Sequence, residues 1–178
     1  MEDYKMKTSF KRIIALVIVI ISVVSIASVS FAEYAGARSL KMRDKASTKG
    51  KILYYFEQGE SLTVLGTSGS WYKVKNSNGK IGYSMQSLVT TSTYNPSDWD
   101  KAYGAYDYAQ TNLKIDKFKN VQKKFNALGV VSPKLDEDGI CGAKSVKAIK
   151  AFQGMKGLKQ DGVAGNGTLE KLYYAKKN

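Results

Sequence analysis

DGICGAKSV at residues 138–146 and DGVAGNGTL at residues 161–169 are two copies of one pattern. Its frame is Asp-Gly-[Ile/Val]-x-Gly-x-x-[Ser/Thr]-[Val/Leu], which is too ordered to reflect composition alone. Each copy leads into apolar residues at helical spacing. The pattern therefore predicts a tight turn that feeds the chain into a helix, used twice.

The polar residues of the two copies have two candidate roles. Asp138 and Asp161 can accept hydrogen bonds from amides of their own turns, and Ser145 and Thr168 can satisfy amides in the first helical turns. The same groups can also be presented to a ligand, and the pattern alone leaves both roles open.

Three amphipathic helices are predicted in the C-terminal part. Their apolar stripes are Ile115, Phe118, Val121, Phe125 and Leu128, ended by Gly129; then Val146, Ile149, Phe152 and Met155; and finally Leu169, Leu172 and Tyr173. Helices of this length are marginal alone, so the three stripes are expected to share one core.

Short alternating strands broken by turns extend from Leu40 to Val89. This pattern predicts a small all-β unit that curls into a barrel. Within it, Asn78-Gly79 is expected to form a type I′ turn in which both residues have positive φ.

An aromatic connector, residues 91–113, separates the two parts. Asn95 is the expected cap of a short helix, with Pro96 in its first position and Asp98 in its first turn. Four aromatic residues follow and are expected to pack between the domains, with contact to a polymer as the alternative. They are Trp99, Tyr103, Tyr106 and Tyr108.

The first 32 residues have a basic start, an apolar run from Ile13 to Ala32 and small residues at its end. This is typical of a secretory signal peptide, and the alternative is an uncleaved membrane anchor. The predicted organisation is thus a signal peptide at 1–32, a barrel at 33–90, the connector at 91–113 and a helical domain at 114–178.

Positive charge dominates the chain, which has a net charge of +13. Residues 33–178 keep 24 Lys and Arg against 13 Asp and Glu, a net charge of +11. For an exported chain this charge suits an anionic cell wall rather than nucleic acid, and improved solubility is the alternative explanation.

The sequence lacks several residue arrangements that enzymes use for catalysis. There is no histidine, and Cys141 is the single cysteine, expected to be buried and inert. Asp136, Glu137 and Asp138 are adjacent and are expected to point in different directions, unlike the placed carboxylate pair of a glycoside hydrolase. The sequence therefore predicts no catalytic site, no metal and no cofactor.

Residues 40–89 resemble the bacterial SH3-like (SH3b) family. The resemblance is carried by Met42-Arg43 and by the segments at 59–65, 69–74 and 79–83. It implies a module that binds cell-wall peptides or targets a protein to the wall. The candidate ligand-binding aromatics are Tyr54, Trp71, Tyr72 and Tyr83, with core packing as the alternative role.

Residues 115–174 resemble the type 1 helical peptidoglycan-binding family. The resemblance is carried by the segments Gln122–Gly129, Asp138–Gln153 and Gly157–Thr168. It implies a three-helix fold that binds peptidoglycan. The candidate ligand-binding residues in this part are Asp138, Ser145, Gln153, Asp161 and Thr168.

The combined expectation is a multidomain all-β plus all-α protein: an SH3-like barrel followed by a three-helix peptidoglycan-binding module. Its expected function is that of a secreted, non-catalytic wall protein that binds peptidoglycan, or another anionic wall polymer, through two tethered modules. The alternatives are a regulatory or targeting partner of a cell-wall hydrolase, or a hydrolase itself. Membrane contact is expected only if the N-terminal segment stays uncleaved.

Overall fold

The computed structural model describes residues 32–177. Apart from Ala32, the predicted signal peptide or anchor lies outside the described residues. No helix between residues 32 and 177 has the length and apolar character needed to span a lipid bilayer.

Seven antiparallel strands form the first half of the described chain. They are β1 (Glu33–Ala35), β2 (Leu40–Arg43), β3 (Ile52–Phe56), β4 (Ser61–Ser68), β5 (Trp71–Lys75), β6 (Ile81–Met85) and β7 (Val89–Thr90). The sheet order is β3-β2-β6-β5-β4-β1-β7. This confirms the predicted all-β unit, which we call the barrel.

Alternation along the strands builds the barrel core. In β2, Leu40 and Met42 are buried while Lys41 is exposed, as a period of two requires. These two side chains pack with Phe56, Leu62 and Val74. Burying each such side chain contributes about 2 kcal/mol, so the small sheet is held by its own apolar face.

The β5–β6 turn differs from the sequence prediction. Only Gly79 has positive φ, at 78°, because Ser39 is the single non-glycine residue with positive φ among residues 32–177. The Gly79 amide donates to the Asn76 carbonyl, and the Asn76 side chain accepts from the amides of Asn78 and Lys80. The predicted type I′ turn is therefore wrong, and Asn76 organises a longer turn that needs only one left-handed residue.

Four helices follow the sheet. They are α1 (Asp98–Tyr103), α2 (Phe118–Leu128), α3 (Ala143–Met155) and α4 (Asn166–Tyr174). Their presence confirms the three predicted long helices, and Gly129 ends α2 in a left-handed conformation as expected. Ile115 precedes α2, whereas Met155 and Tyr173 are exposed, so these three do not belong to buried helical stripes.

The cap of α1 also differs from the prediction. Ser97 caps the helix and forms a reciprocal capping box with Asp100, so Asn95 is not the cap and Pro96 lies outside the helix. The side-chain oxygen that caps the first turn of α1 therefore comes from a residue two positions later than expected.

One core holds the helices and the connector together. Phe118, Phe125 and Phe152 are its largest helical members, and Tyr108 of the connector is buried against Phe118. Tyr103 and Tyr106 are also buried there, so the connector aromatics complete the helical core. Cys141 lies in the same core, where burial raises the pKa of its thiol to about 12, consistent with the expected inert role.

Arg38 joins the barrel to the connector. Its guanidinium donates to the Asp100 carboxylate at 2.7 Å, to the Tyr106 carbonyl at 2.6 Å and to the Asp107 carboxylate at 3.0 Å. Asp100 also accepts from Ser97. Burial opposes ionisation of the Asp100 carboxyl, but its hydrogen bonds outweigh burial and lower its pKa. The barrel thus meets the connector through a partly buried ionic cluster.

Candidate functional site

The four candidate aromatics of the barrel are divided between its two faces. Tyr54 and Tyr72 pack against the barrel core. The Tyr54 hydroxyl donates to Glu60 at 2.9 Å, and burial followed by this bond raises the pKa of the phenol. Trp71 and Tyr83 lie on the opposite face, because strand neighbours alternate in direction.

Strand register places basic residues beside Trp71 and Tyr83. Tyr83 is paired with Lys73 on one side and with Arg43 on the other. Lys41 shares the direction of Arg43, two residues away. We call Lys41, Arg43, Trp71, Lys73 and Tyr83 the basic strip. It combines the half-buried ring of Tyr83 and the largely buried indole of Trp71 with three cations.

A cavity of about 270 Å³ lies along one side of the basic strip. Its lining includes Trp71, Lys41 and Arg43, together with Arg38 and Met85. Such a cavity can seat a sugar ring or a peptide side chain against the indole, with cations beside it.

Gln122 organises the first copy of the repeated loop. Its side-chain amide donates to Asp138 Oδ1 at 2.9 Å and to the Ile140 carbonyl at 3.2 Å, while its oxygen accepts from the Gly139 amide at 2.8 Å. Asp138 also accepts from the Ile140 amide. The buried glutamine of α2 therefore holds the backbone of this loop through hydrogen bonds.

Gln153 makes the same contacts to the second copy. Its side-chain amide donates to Asp161 Oδ1 at 2.9 Å and to the Val163 carbonyl at 3.0 Å, and its oxygen accepts from the Gly162 amide at 3.0 Å. Thr168 Oγ1 provides a further acceptor at 3.2 Å. The repeat in sequence is thus a repeat of one hydrogen-bonded unit.

These contacts define what the candidate residues of the two loops already do. Asp138 is held mainly by Gln122, and Asp161 by the Val163 amide and then Gln153; both sets of bonds lower the pKa of the carboxyl. Ser145 is buried, and its hydroxyl donates to the Ile140 carbonyl at 3.4 Å. The bonds from the Ile140 and Val163 amides to the aspartates fit the expected turn role. The expected capping by Ser145 and Thr168 is wrong, because neither hydroxyl accepts from an amide of the first helical turn. Contact of these residues with a ligand stays a prediction.

The second loop also borders open space. A cavity of about 300 Å³ is lined by Gln153, Asp161, Val163 and Thr168, together with Lys159. Asp161 lines this cavity and is exposed to solvent. Three of the predicted site residues therefore meet at one concavity, whereas Asp138 and Ser145 belong to the first loop.

Sequence reasoning missed the roles of Gln122 and Arg38. Gln122 precedes its aspartate by 16 residues and Gln153 precedes its own by only 8, so a fixed spacing does not reveal the pair. The available signal was that a Gln follows a large apolar residue within each helix ahead of each Asp-Gly.

The acidic triplet has the divergent contacts that the sequence suggested. Asp136 lies 3.8 Å from Lys144, Glu137 accepts from Asn126, and Asp138 is bound by Gln122. Within residues 32–177, no group of three His, Cys, Asp or Glu side chains is arranged to hold a metal ion.

The described residues form a two-module protein, in which a strand-rich module is joined to a helical module with paired Gln–Asp-Gly loops. The family model for a bacterial SH3 domain matches residues 38–90, and the model for a putative peptidoglycan binding domain matches residues 116–172. The chain therefore contains a bacterial SH3 domain followed by a peptidoglycan-binding domain, as the resemblances indicated.

A curated relative provides a further comparison. The chain is 39% identical over 51 residues to the putative N-acetylmuramoyl-L-alanine amidase YrvJ of Bacillus subtilis strain 168. This segment covers 29% of the chain and 10% of the relative. The chain thus matches only a tenth of the length of that relative.

Proposed function

We propose that this chain is a secreted, non-catalytic protein that binds peptidoglycan through both of its domains. The observation that carries the proposal is the pairing of a bacterial SH3 domain with a peptidoglycan-binding domain in one chain. The basic strip and the second-loop cavity supply one concave surface on each domain.

The chemistry of both surfaces suits this polymer. Peptidoglycan offers apolar sugar faces, amide groups and the free carboxylates of its peptide stems. Tyr83 can stack on a sugar face, whereas Trp71 is only 8% exposed and can contribute only the part of its indole that lines the cavity. Lys41 and Lys73 can attract carboxylates. Together with the net charge of +11 for residues 33–178, these groups favour an anionic wall polymer.

Two observations support the proposal that the chain is non-catalytic. Both matched families are described as binding or SH3 domains, and the carboxylates of residues 136–138 are held apart by separate partners. In a glycoside hydrolase, the acid carboxyl and the second carboxylate both face the glycosidic bond that is cleaved. These observations support a chain that acts by holding the wall.

A second candidate function is the targeting or regulation of a wall hydrolase. It is favoured by the similarity to the putative amidase, whose name assigns it a wall-cleaving activity. In a gel containing peptidoglycan, the purified chain should leave no cleared band. A hydrolase partner should instead be retained with the chain when both are mixed with sacculi.

We expect the chain to sediment with purified sacculi and to be released progressively as salt rises, since exposed charges are screened over about 10 Å at 0.1 M salt. Reversing both Lys41 and Lys73 to Glu should weaken binding about fivefold. The matched control reverses the exposed Lys123 and Lys147 on α2 and α3, which should change binding less than about twofold.

Sacculi freed of phosphate-containing polymers provide the discriminating sample. The proposal requires the chain to sediment equally well with them. Recovery of the chain in the supernatant at low salt would exclude peptidoglycan as its ligand.

A further inference from the structure

A third cavity lies between the cavities on the two domains. A cavity of about 410 Å³ shares Arg38, Ser39 and Lys41 with the cavity beside Trp71. It shares Asp107 and Val163 with the second-loop cavity. Common lining residues at both ends mean that the three cavities are adjacent in a row, which we call the joint groove.

Neither domain builds the middle of the joint groove alone. The barrel contributes Ile52 and Tyr55, the connector contributes Gln110 and Thr111, and Ile115 comes from the segment before α2. A fragment containing only one domain would therefore lose one wall of the middle cavity.

Reciprocal hydrogen bonds join the elements that line the joint groove. The Asp107 amide donates to Ser39 Oγ at 3.0 Å, and this hydroxyl donates to the Asp107 carbonyl at 3.1 Å. One residue further, Tyr108 and Ala164 exchange backbone hydrogen bonds of 3.2 and 2.9 Å. The barrel, the connector and the second loop are thus tied in sequence along the groove.

Ser39 adopts an unusual backbone conformation at this junction. Its φ is 52°, a left-handed value that costs a serine on the order of 1 kcal/mol. This conformation occurs where the Ser39 and Arg38 side chains both reach Asp107. The strained residue therefore lies at a contact between the barrel and the connector.

Charge along the groove favours an anionic occupant. Of its two acidic lining residues, Asp107 is paired with Arg38, whereas Asp161 accepts from the neutral Gln153 amide and keeps its negative charge near Lys159. Lys41 on the barrel side and Lys159 on the helical side form no salt bridge among residues 32–177. The four cations of the lining, which are Arg38, Lys41, Arg43 and Lys159, therefore outnumber its two carboxylates.

We propose that one peptidoglycan oligomer lies along the joint groove and contacts both domains at once. This inference rests on the proposed function, but it replaces two independent tethered sites with one composite site. Lys41 and Lys159 attract carboxylates of successive peptide stems, and the middle cavity holds the segment between them. The groove selects an extended oligomer over a single disaccharide-peptide unit.

The test blocks the middle of the groove and leaves both ends intact. Ala109 is exposed and lines the middle cavity, so Ala109→Trp fills it, and Gln110→Trp is a second variant at the same place. The control is Ala127→Trp, which places an equal bulk on the exposed face of α2. Binding is measured by calorimetry with muramidase-released monomers and with purified oligomers.

We expect Ala109→Trp and Gln110→Trp to weaken oligomer binding at least about tenfold, to alter monomer binding less than about twofold, and to leave the melting temperature near that of Ala127→Trp. If either folded variant binds oligomers as tightly as the control does, the composite site is wrong while peptidoglycan binding stands. If the unmodified chain binds neither oligomers nor intact sacculi, the proposed function fails as well.

Discussion

Replacing Arg38 with Met is expected to lower the free energy of unfolding by about 3 kcal/mol, because it leaves the carboxylate of Asp100 buried without its cation. The Asp100 side chain is only 2% exposed, and that of Arg38 is 13% exposed. The change also removes both donors to the Tyr106 carbonyl. Urea denaturation, followed by circular dichroism, measures the loss.

The matched control is Lys101→Met, which removes the same charge from an exposed pair. Lys101 lies 3.3 Å from Asp98, and both side chains are more than 60% exposed, so its loss should cost less than about 0.5 kcal/mol. A double variant, Arg38→Met with Asp100→Asn, should recover part of the stability. Equal denaturation midpoints for Arg38→Met and Lys101→Met would show that the ionic cluster does not hold the junction.

Replacing Gln153 with Leu is expected to destabilise the chain by about 3 kcal/mol. Gln153 is 2% exposed, and Leu would leave the Gly162 amide and the Val163 carbonyl without their partner. Each buried polar group left unpaired costs about 1–3 kcal/mol. Thermal melting, compared with the exposed Gln160→Leu control, measures this effect.

Gln122→Leu separates the structural use of the loops from their use in binding. Gln122 makes the same contacts to the first loop, so its loss should destabilise the chain to a similar degree. Of these two glutamines, Gln153 lines the second-loop cavity and Gln122 does not. Sacculus binding is measured well below the melting temperatures of both variants. It should fall a few-fold in Gln153→Leu and stay unchanged in Gln122→Leu. Equal binding in the two variants would exclude a role for the second-loop cavity.

The sequence predicted those elements whose causes are local. Apolar residues at a spacing of three or four predicted α2, and Gly129 predicted its end. The cap of α1 was misplaced because Asn95 and Ser97 are both good caps, and only the reciprocal bond with Asp100 selects Ser97.

Long-range contacts were beyond the reach of sequence patterns. Arg38 and Asp100 are 62 residues apart, and nothing in the neighbourhood of either residue indicates the other. The same holds for the middle cavity, which brings Tyr55 of β3 near Gln110 and Val163. The turn at Asn78 was mistaken because the competing acceptor, the Asn76 side chain, stabilises a longer loop.

An NMR titration of the isotope-labelled chain with soluble peptidoglycan oligomers tests peptidoglycan binding most directly. The account predicts that the Trp71 indole signal and the amide signals of Lys73, Tyr83 and residues 161–168 shift together and saturate at one ligand concentration. Signals from the exposed face of α2 should stay in place. Spectra that do not change at millimolar oligomer, or shifts confined to α2, would contradict the account.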